Sequence, residues 1–347
     1  MKSDNLSINV CEEKNIDLVM DFIGKEWAKG HILSKDLDLM NWQHGTNTSL
    51  YNWILGFSGS SISGVLGFIP ISKFDSSIVN HDFIWLALWK VREDKHTRGL
   101  GLRLLRELFS KMPASGFGVL GINPDHLSLY KSLGFEVGQL KQNYIVNSNS
   151  KQSLILNPMN ELLPQAKHGN AILKLLEKKG LRNISLKSNN VVPCKSSKYF
   201  ENRFFSHPIY KYQVYIAQKD FQDEALIATR IAEHEGSKVL RIVDLFGNDS
   251  ILADCGSALQ NLMEIYDCEY CDFWQYGVSE DALTRCGFID ASNGSVVVPN
   301  FFEPFIRKAA PVSFAIKSSI EAPFKIFRAD GDQDRPNSRP MNVSCSQ

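Results

Sequence analysis

The sequence lacks the features that would tie it to nucleic acid or to a membrane. Its 38 Lys and Arg residues equal its 38 Asp and Glu residues, so no excess charge attracts a polyanion or an anionic lipid surface. No apolar run approaches the roughly 20 residues that a membrane-spanning helix needs. Residues 1–5 are polar and the acidic Glu12 and Glu13 follow, which predicts no signal peptide. We therefore expect neither a nucleic-acid partner nor membrane insertion.

Cysteine is also sparse and shows no disulfide pattern. The 7 cysteines are odd in number and scattered, mostly in apolar surroundings, which fits a reducing cytoplasm. Cys268 and Cys271 match a CxxC spacing, but the motif stands alone on a predicted strand. Strand alternation places the two side chains on opposite faces, which excludes a shared metal or redox site there. The sequence predicts a cytoplasmic protein.

What the chain does contain is a strand, a glycine-bearing loop and a helix in succession. Residues 85–91 are apolar and β-prone, which predicts a buried strand. Gly99 and Gly101 lack Cβ atoms, so the backbone there can approach a ligand closely. The helix that follows has free N–H groups and a positive dipole end, which together bind phosphate without a side chain. The alternative is a glycine-rich turn that binds nothing. The apolar face of the helix comprises Leu100, Leu104, Leu105 and Leu108.

A second strand and a short helix complete this unit. Residues 117–122 are apolar, Asn123 follows them, and Tyr130 lies near the end of a short helix that stops at Gly134. Such a βαβ-type unit leaves its loop at the carboxyl ends of the strands. A phosphate-binding loop beside a phenol suggests an enzyme that handles coenzyme A. The alternative for Tyr130 is a core tyrosine that packs against the short helix.

The order of these motifs resembles the GNAT superfamily of acyl-CoA N-acyltransferases. The resemblance rests on HxxGxG (His96, Gly99, Gly101), the paired leucines, Asn123, Tyr130 and the following Leu-Gly-Phe, and covers roughly residues 80–136. It implies a GNAT fold of the α/β class, with an α+β mixed sheet, and acetyl-CoA as the acyl donor. His96 departs from the family, which usually has Arg or Gln there, and a mostly neutral His attracts phosphate less.

The resemblance also implies roles for individual residues. Loop amides hold the CoA pyrophosphate, the asparagine contacts the cofactor arm, and Tyr130 protonates the departing thiolate. Strand amides near Leu88 and Trp89 would polarise the thioester carbonyl. Asp82 and Glu93, near the two ends of the central strand, are the candidate bases. The implied cofactor-binding residues are Leu88, Trp89, Val91, His96, Arg98, Gly99, Leu100, Gly101, Leu102, Arg103 and Asn123.

Acceptor contacts in this superfamily come from the early helices and from strand edges. His31, Trp42 and Gln43 are the candidates for substrate binding, because they gather base, stacking and hydrogen-bonding groups within a few turns. The alternative is that Trp42 is a core aromatic and that His31 is structural.

The chain divides by its motifs into three predicted segments. Residues 1–147 form the acyl-CoA-binding catalytic domain, 148–328 a degenerate GNAT-like domain with a role in acceptor binding, and 329–347 a polar C-terminal tail. The boundary is the polar run 147–153. The second unit repeats the order of the first, with strands at 212–216, 224–230, 238–244 and 270–274 and a helix over 250–266. Its loop, 245–250, carries Asp249 where phosphate would lie, so we expect no CoA there.

Two polar clusters near the end of the sequence suggest a further ligand. Residues 298–305 surround Asn300 and Glu303 with aromatic side chains, and residues 330–337 carry three alternating aspartates. A pocket for a hydroxyl-rich ligand would use both types of group. The alternative is a closing loop followed by a solvated acidic tail. The acidic run lacks the glutamate and the length of an EF-hand loop, so we expect no metal.

These observations predict an N-acyltransferase, most simply an N-acetyltransferase, whose partner is a small-molecule acceptor amine. The clusters resemble tandem acetyltransferase-like proteins linked to bacterial surface-polysaccharide synthesis, which suggests a nucleotide-linked amino sugar. A sugar amine suits a weak base, because an amine with a pKa near ~7.8 is more than a tenth neutral at pH 7. The alternatives are a Fem-like aminoacyl or peptidyl transferase, which does not use CoA, and a non-catalytic module that binds CoA or another ligand. A homodimer is compatible with the sequence.

Overall fold

The computed structural model describes residues 6–150, 154–156, 163–184, 186, 190–293 and 296–339. It is a mixed α/β structure built on two large sheets. The strands are β1 Leu6–Glu12, β2 Leu50–Ser58, β3 Ser61–Pro70, β4 Phe83–Val91, β5 Gly116–Ile122, β6 Glu136–Gln139, β7 Lys141–Val146, β8 Ile172–Leu176, β9 Gln213–Lys219, β10 Gln222–His234, β11 Ser237–Gly247, β12 Cys268–Tyr276, β13 Ile289–Asp290, β14 Phe301–Phe302, β15 Phe305–Ile306, β16 Ser313–Ser318 and β17 Ile326–Phe327. The α-helices are α1 Ile16–Phe22, α2 Leu37–His44, α3 Leu100–Lys111, α4 Leu127–Ser132, α5 Ser197–Phe204, α6 Gly256–Ile265 and α7 Glu280–Cys286.

The two sheets share one plan. The first has the order β1-β2-β3-β4-β5-β16-β6, and the second has the order β13-β7-β12-β11-β10-β9-β8. Each contains a single parallel pair among the described strands, β4 with β5 and β11 with β12, and the other pairs are antiparallel. A helix connects the two strands of each parallel pair, α3 in the first sheet and α6 in the second. This arrangement gives the mixed sheet that the sequence predicts.

The sheets exchange segments of chain. β7 precedes the predicted boundary at residue 147 but pairs with β12 of the second sheet. β16 belongs to the second predicted unit but lies between β5 and β6 of the first sheet. The sheets therefore do not divide at one position of the chain, and the division into 1–147, 148–328 and 329–347 stays a prediction. Residues 151–153 of the polar run and residues 340–347 of the tail lie outside the described residues.

The helix after the glycine loop forms as its apolar pattern predicts. The four leucines of its predicted face, Leu100, Leu104, Leu105 and Leu108, are all buried against the first sheet. The helix expected over 250–266 is shorter, because α6 begins only at Gly256. The residues before it form a 3-10 turn over Asp249–Asp254, and the Asn248 side chain accepts the N–H of Ser250 there. The asparagine cap thus stabilises the tighter turn in place of a first helical turn.

The parallel pairs of the two sheets differ in what fills the space where their strands separate. Pairing of β4 with β5 ends at Leu86 and Val119, although both strands continue. Pairing of β11 with β12 likewise ends at Ile242 and Phe273. In the second sheet β17 pairs with the end of β12, and the N–H of Ala329 donates to the carbonyl of Val243 of β11 at 2.9 Å. The second gap is therefore filled by the chain itself, whereas the first opens into a cavity.

Candidate active site

A cavity of about 920 Å³ lies where β4 and β5 separate. One wall comes from the first sheet and its neighbouring helices, through the ends of β4 and β5, the glycine loop and α4. The opposite wall comes from residues after 209 in the chain, including the β14–β15 hairpin and the segment that follows β17. A cavity of this size accommodates a cofactor arm together with a small second ligand.

The end of β4 presents an open backbone edge to this cavity. Leu88, Trp89 and Val91, which belong to the predicted cofactor-binding set, line the cavity. β5 pairs with one edge of β4 up to Leu86. Beyond Leu86, no strand among the described residues pairs with that edge. Peptide N–H and C=O groups on such an edge are strong hydrogen-bonding groups that require partners. The edge can therefore bind an extended amide-bearing ligand or polarise a carbonyl.

The glycine loop places the N-terminus of α3 at the cavity. Gly99 has a left-handed φ of 78°, and a Cβ there would meet nothing within 4 Å. The loop before it is held by a capping box, in which the Asp94 side chain accepts the N–H of His96 at 3.1 Å and the Thr97 hydroxyl accepts the N–H of Asp94 at 3.3 Å. Gly99 and Gly101 both line the cavity. The N-terminal N–H groups of α3 are thus exposed to a ligand beside a fixed loop.

The other residues of the predicted cofactor set have different surroundings. Asn123 lines the cavity, and its side-chain oxygen accepts the N–H of Asp125 at 3.1 Å. His96 and Arg98 are exposed on the loop and do not line the cavity. Leu100 is fully buried in the core. Leu102 and Arg103 are exposed on α3 outside the cavity.

Tyr130 of α4 lies in the wall of the cavity. Its ring contacts Trp89 edge-on at a centroid distance of 6.4 Å and Phe135 at 5.6 Å. Burial raises the pKa of Tyr130 to about 12, so the phenol stays protonated at neutral pH. No side chain in the part of the chain that the structure describes hydrogen-bonds its hydroxyl. A protonated phenol without a protein partner is positioned to donate to a ligand.

The two carboxylates predicted as bases lie outside the cavity. Asp82 precedes β4, at the end of that strand farthest from the cavity, and its carboxylate accepts hydrogen bonds from the backbone N–H and the hydroxyl of Ser72. Burial raises the pKa of Asp82 against the effect of those hydrogen bonds. Glu93 has a side chain that is 90% exposed and pairs with Lys90 at 3.5 Å. Neither carboxylate lines the space where an acyl group would bind.

The three predicted acceptor-binding residues also lie apart from the cavity lining. The ring of Trp42 packs against Phe74 and His207, and Gln43 is buried with its amide 3.1 Å from the ring of His44. His31 accepts the N–H of Leu33 through Nδ1 at 3.3 Å. Burial lowers the pKa of His31 to about 4, so it is neutral at pH 7. For Trp42 and His31 these contacts are of the kind that the structural alternative predicts, and Gln43 is buried apart from the cavity lining.

The opposite wall supplies charged groups that lie outside the predicted catalytic and cofactor-binding sets. Glu303 follows β14 and lines the cavity, and its carboxylate accepts the hydroxyl of Tyr210 at 3.3 Å. Asp332 also lines the cavity and pairs with Arg335 at 3.3 Å. They are the two carboxylates of the described lining. The aromatic–acidic pattern around Glu303 is the sequence signal that identified this region as a candidate pocket.

Three arginines from distant parts of the second half complete this wall. Arg230, Arg241 and Arg328 all line the cavity, although their side chains are at most 7% exposed. Asp334 accepts hydrogen bonds from Arg230 at 2.8 to 3.1 Å and from Arg328 at 2.9 Å. Asp272 accepts two from Arg241, at 2.9 and 2.8 Å. The wall is therefore a buried network of guanidinium and carboxylate groups.

No family model matches the sequence, and no curated protein matches it. The fold, in contrast, is similar to several solved structures. A GCN5-related N-acetyltransferase from Anabaena variabilis aligns with a TM-score of 0.52 and 11% identity, over 90% of this chain and 73% of that one. One from Kribbella flavida gives 0.52 and 10%, over 91% and 71%. A protein of Enterococcus faecalis described as a probable N-acyltransferase gives 0.53 and 7%, over 91% and 73%. The chain therefore has the fold of GCN5-related N-acetyltransferases across most of its length.

The described residues contain neither a metal-binding group nor a membrane-spanning helix. No three His, Cys, Asp or Glu side chains among them are grouped to hold a metal ion. None of the helices in the described ranges combines the length and the apolar composition needed to cross a bilayer.

Proposed function

We propose that the protein is an acyl-CoA-dependent N-acyltransferase. The observation that carries this proposal is the cavity between β4 and β5, which combines an open strand edge, the N-terminus of α3 and Tyr130. The N–H groups after Gly99 bind the CoA pyrophosphate, and the β4 edge binds the amide-bearing arm. The fold shared with GCN5-related N-acetyltransferases supports the same assignment.

The reaction follows from these groups. A neutral acceptor amine attacks the thioester carbonyl, whose developing oxyanion is stabilised by N–H groups of the β4 edge near Leu88 and Trp89. The carbon–sulfur bond breaks as the tetrahedral intermediate collapses. Tyr130, which is protonated at neutral pH, donates its proton to the departing thiolate as that charge develops. The phenol then regains a proton from solvent.

Glu303 is the base in this proposal. It lies on the cavity wall opposite the first sheet, formed by residues after 209, which we call the acceptor wall. Its carboxylate forms no ion pair within the described residues. It accepts the proton that the amine loses on attack, directly or through one water. Asp332 is less suited, because Arg335 already pairs with it.

The acceptor is a small polar amine, and we propose a nucleotide-linked amino sugar of surface-polysaccharide synthesis as its type. The aromatic side chains beside Glu303 and the polar groups of residues 330–337 line the acceptor end, which suits a sugar ring. The second sheet acts in this proposal as a degenerate second GNAT-like half that shapes the acceptor end. A Fem-like transferase, which does not use CoA, would leave the α3 N-terminus without a use, and a non-catalytic module would leave Tyr130 and Glu303 without a catalytic role.

Calorimetric titration of acetyl-CoA tests the cofactor site. Wild-type protein should bind acetyl-CoA, and Gly99→Asp should not, because the new carboxylate repels the pyrophosphate and occupies its space. Gly236→Asp is the matched control. It adds the same charge at a φ of 83° with nothing within 4 Å of the new Cβ, but at the turn between β10 and β11, away from the cavity. Equal binding by both variants, or no binding by wild type, would contradict the assignment.

A further inference from the structure

The fully buried charged groups of the acceptor wall do not pair one to one. Three guanidinium groups, those of Arg230, Arg241 and Arg328, face two buried carboxylates, Asp272 and Asp334. Arg241 is matched by Asp272, and Arg230 and Arg328 share Asp334. An uncompensated charge in a buried site is costly unless another ion pairs with it. The fully buried network therefore has one more guanidinium than carboxylate, whereas the other charged groups of this wall, Glu303, Asp332 and Arg335, are less buried.

Arg328 is the arginine of this network that makes only one hydrogen bond to a carboxylate, whereas Arg230 and Arg241 each make at least two. Its Nε–H donates to Asp334, and its Nη1 donates to the side-chain oxygen of Asn300. The remaining contact, from Nη2 to the carbonyl of Asn300, is long at 3.5 Å. A guanidinium has five N–H donors in a fixed fork, so at least two of them have no close partner among the described residues. Burial and the neighbouring Arg241 lower the pKa of Arg328 to about 10, which leaves it charged at pH 7.

Glu303 does not pair with any of the three buried arginines. Its carboxylate is held by the Tyr210 hydroxyl, and no ion pair joins it to any arginine in the described ranges. The rings of Tyr210 and Phe302 lie 4.3 Å from the guanidinium of Arg230 and 4.9 Å from that of Arg241, respectively. These aromatic faces hold the two arginines in place and leave Arg328 to pair with a ligand.

We infer that the acceptor is an anionic amine whose phosphate or carboxylate group binds Arg328. The inference rests on the proposed transferase function and specifies its acceptor class. A planar guanidinium binds both anions through paired N–H groups, so the chemistry of recognition is shared. The amine of the same molecule then points along the cavity toward Glu303 and the thioester.

Matched acceptor pairs test the inference, with thiol release from acetyl-CoA as the readout. Glucosamine 1-phosphate is compared with glucosamine, and β-alanine with β-alaninamide, so that each pair differs in one anionic group and the two pairs separate phosphate from carboxylate. We expect one anionic member to have a kcat/KM roughly 10- to 100-fold above its neutral partner. Arg328→Gln should remove that preference through KM while leaving acetyl-CoA affinity unchanged. Arg285→Gln, on the exposed face of α7, is the control and should retain the preference.

A binding measurement covers the case in which no member of the panel is acylated. In the Gly99→Asp variant, where the loop no longer binds phosphate, inorganic phosphate should still raise the melting temperature. Adding Arg328→Gln should abolish this rise. The inference is overturned if neutral and anionic amines react equally, or if Arg328→Gln keeps the preference or weakens acetyl-CoA binding instead. It is also overturned if phosphate raises the melting temperature of Gly99→Asp and of the Gly99→Asp, Arg328→Gln double variant equally. Failure of wild type to bind acetyl-CoA would reject the transferase function separately, because the phosphate measurement does not depend on it.

Discussion

Removing the charge of Asp334 should destabilise the protein more than any exposed charge change. Asp334 is 1% exposed and accepts from Arg230, from Arg328 and from the Tyr212 hydroxyl at 2.9 Å. Asp334→Asn keeps the shape but leaves three buried guanidiniums with one carboxylate, Asp272. Breaking a buried pair in this way costs about 3–5 kcal/mol. Because a domain longer than 150 residues loses about 2–4 °C per kcal/mol, we expect a fall in Tm of at least ~6 °C.

The pH dependence of this effect provides a second check. Burial alone raises the pKa of Asp334, but the charges of Arg230 and Arg328 outweigh it and hold the pKa far below its usual range. A carboxylate with a depressed folded-state pKa contributes stability above its unfolded pKa, about 3.9, and loses that contribution as the pH falls through the folded value. The stability gap between wild type and Asp334→Asn should therefore be constant from pH 5 to pH 8 and narrow only in strong acid.

Chemical denaturation at each pH measures this gap. Asp332→Asn is the matched control, because Asp332 is two residues away and makes a single partly exposed pair with Arg335, which is worth about 1 kcal/mol or less. A loss below 1 kcal/mol in Asp334→Asn, or a gap that changes between pH 5 and pH 8, would refute the account of the arginine network.

Three further predictions concern catalysis and folding. Tyr130→Phe should lower turnover about 100-fold or more with unchanged acetyl-CoA affinity, and full turnover would reject the acid role. Glu303→Gln should lower kcat by a similar factor, whereas the exposed Glu321→Gln should not, and equal kcat values would reject the base. Gly277→Ala should cost roughly 2 kcal/mol or more, because its φ is 88° and a Cβ would lie 2.0 Å from the carbonyl oxygen of Phe324. Gly236→Ala has a similar φ in open space and should cost about 1 kcal/mol, so equal losses in urea denaturation would contradict the steric argument.

The elements that form the first-sheet wall of the cavity could be predicted, because the sequence patterns that indicate them are local. The strand expected over residues 85–91 lies within β4, and the leucine pattern of α3 and the position of Tyr130 follow from periodicity and from the glycine stop at Gly134. Strands expected at 224–230, 238–244 and 270–274 likewise fall within β10, β11 and β12, and the strand expected at 212–216 overlaps β9, which begins at Gln213. Alternating or continuous apolar runs are sufficient to identify such elements, whatever the rest of the chain does.

The acceptor wall could not be predicted in the same way, because its members are far apart in sequence. Arg230 and Arg241 lie on two neighbouring strands, and Arg328 follows a two-residue strand that no periodicity indicates. Asp330 and Asp334 read as part of a solvated acidic run, yet both are buried, since Asp334 meets the arginines and Asp330 pairs with Lys195 at 2.9 Å. A charged residue is buried when a partner reaches it, and partners are a property of tertiary structure.

The segment from β17 to Arg335 contacts both sheets. Its first part fills the gap between β11 and β12, and its next residues cross to the first sheet, where Gly331 lies near Trp85 and Gln333 meets Gly121. The same short segment is thus anchored in the second sheet and lines the cavity at the first sheet. Under the proposed function, substitutions at its cavity-facing positions, such as Asp332 and Gln333, should change ligand choice without disturbing the strands proposed to bind the cofactor, so we expect selectivity and cofactor binding to change independently.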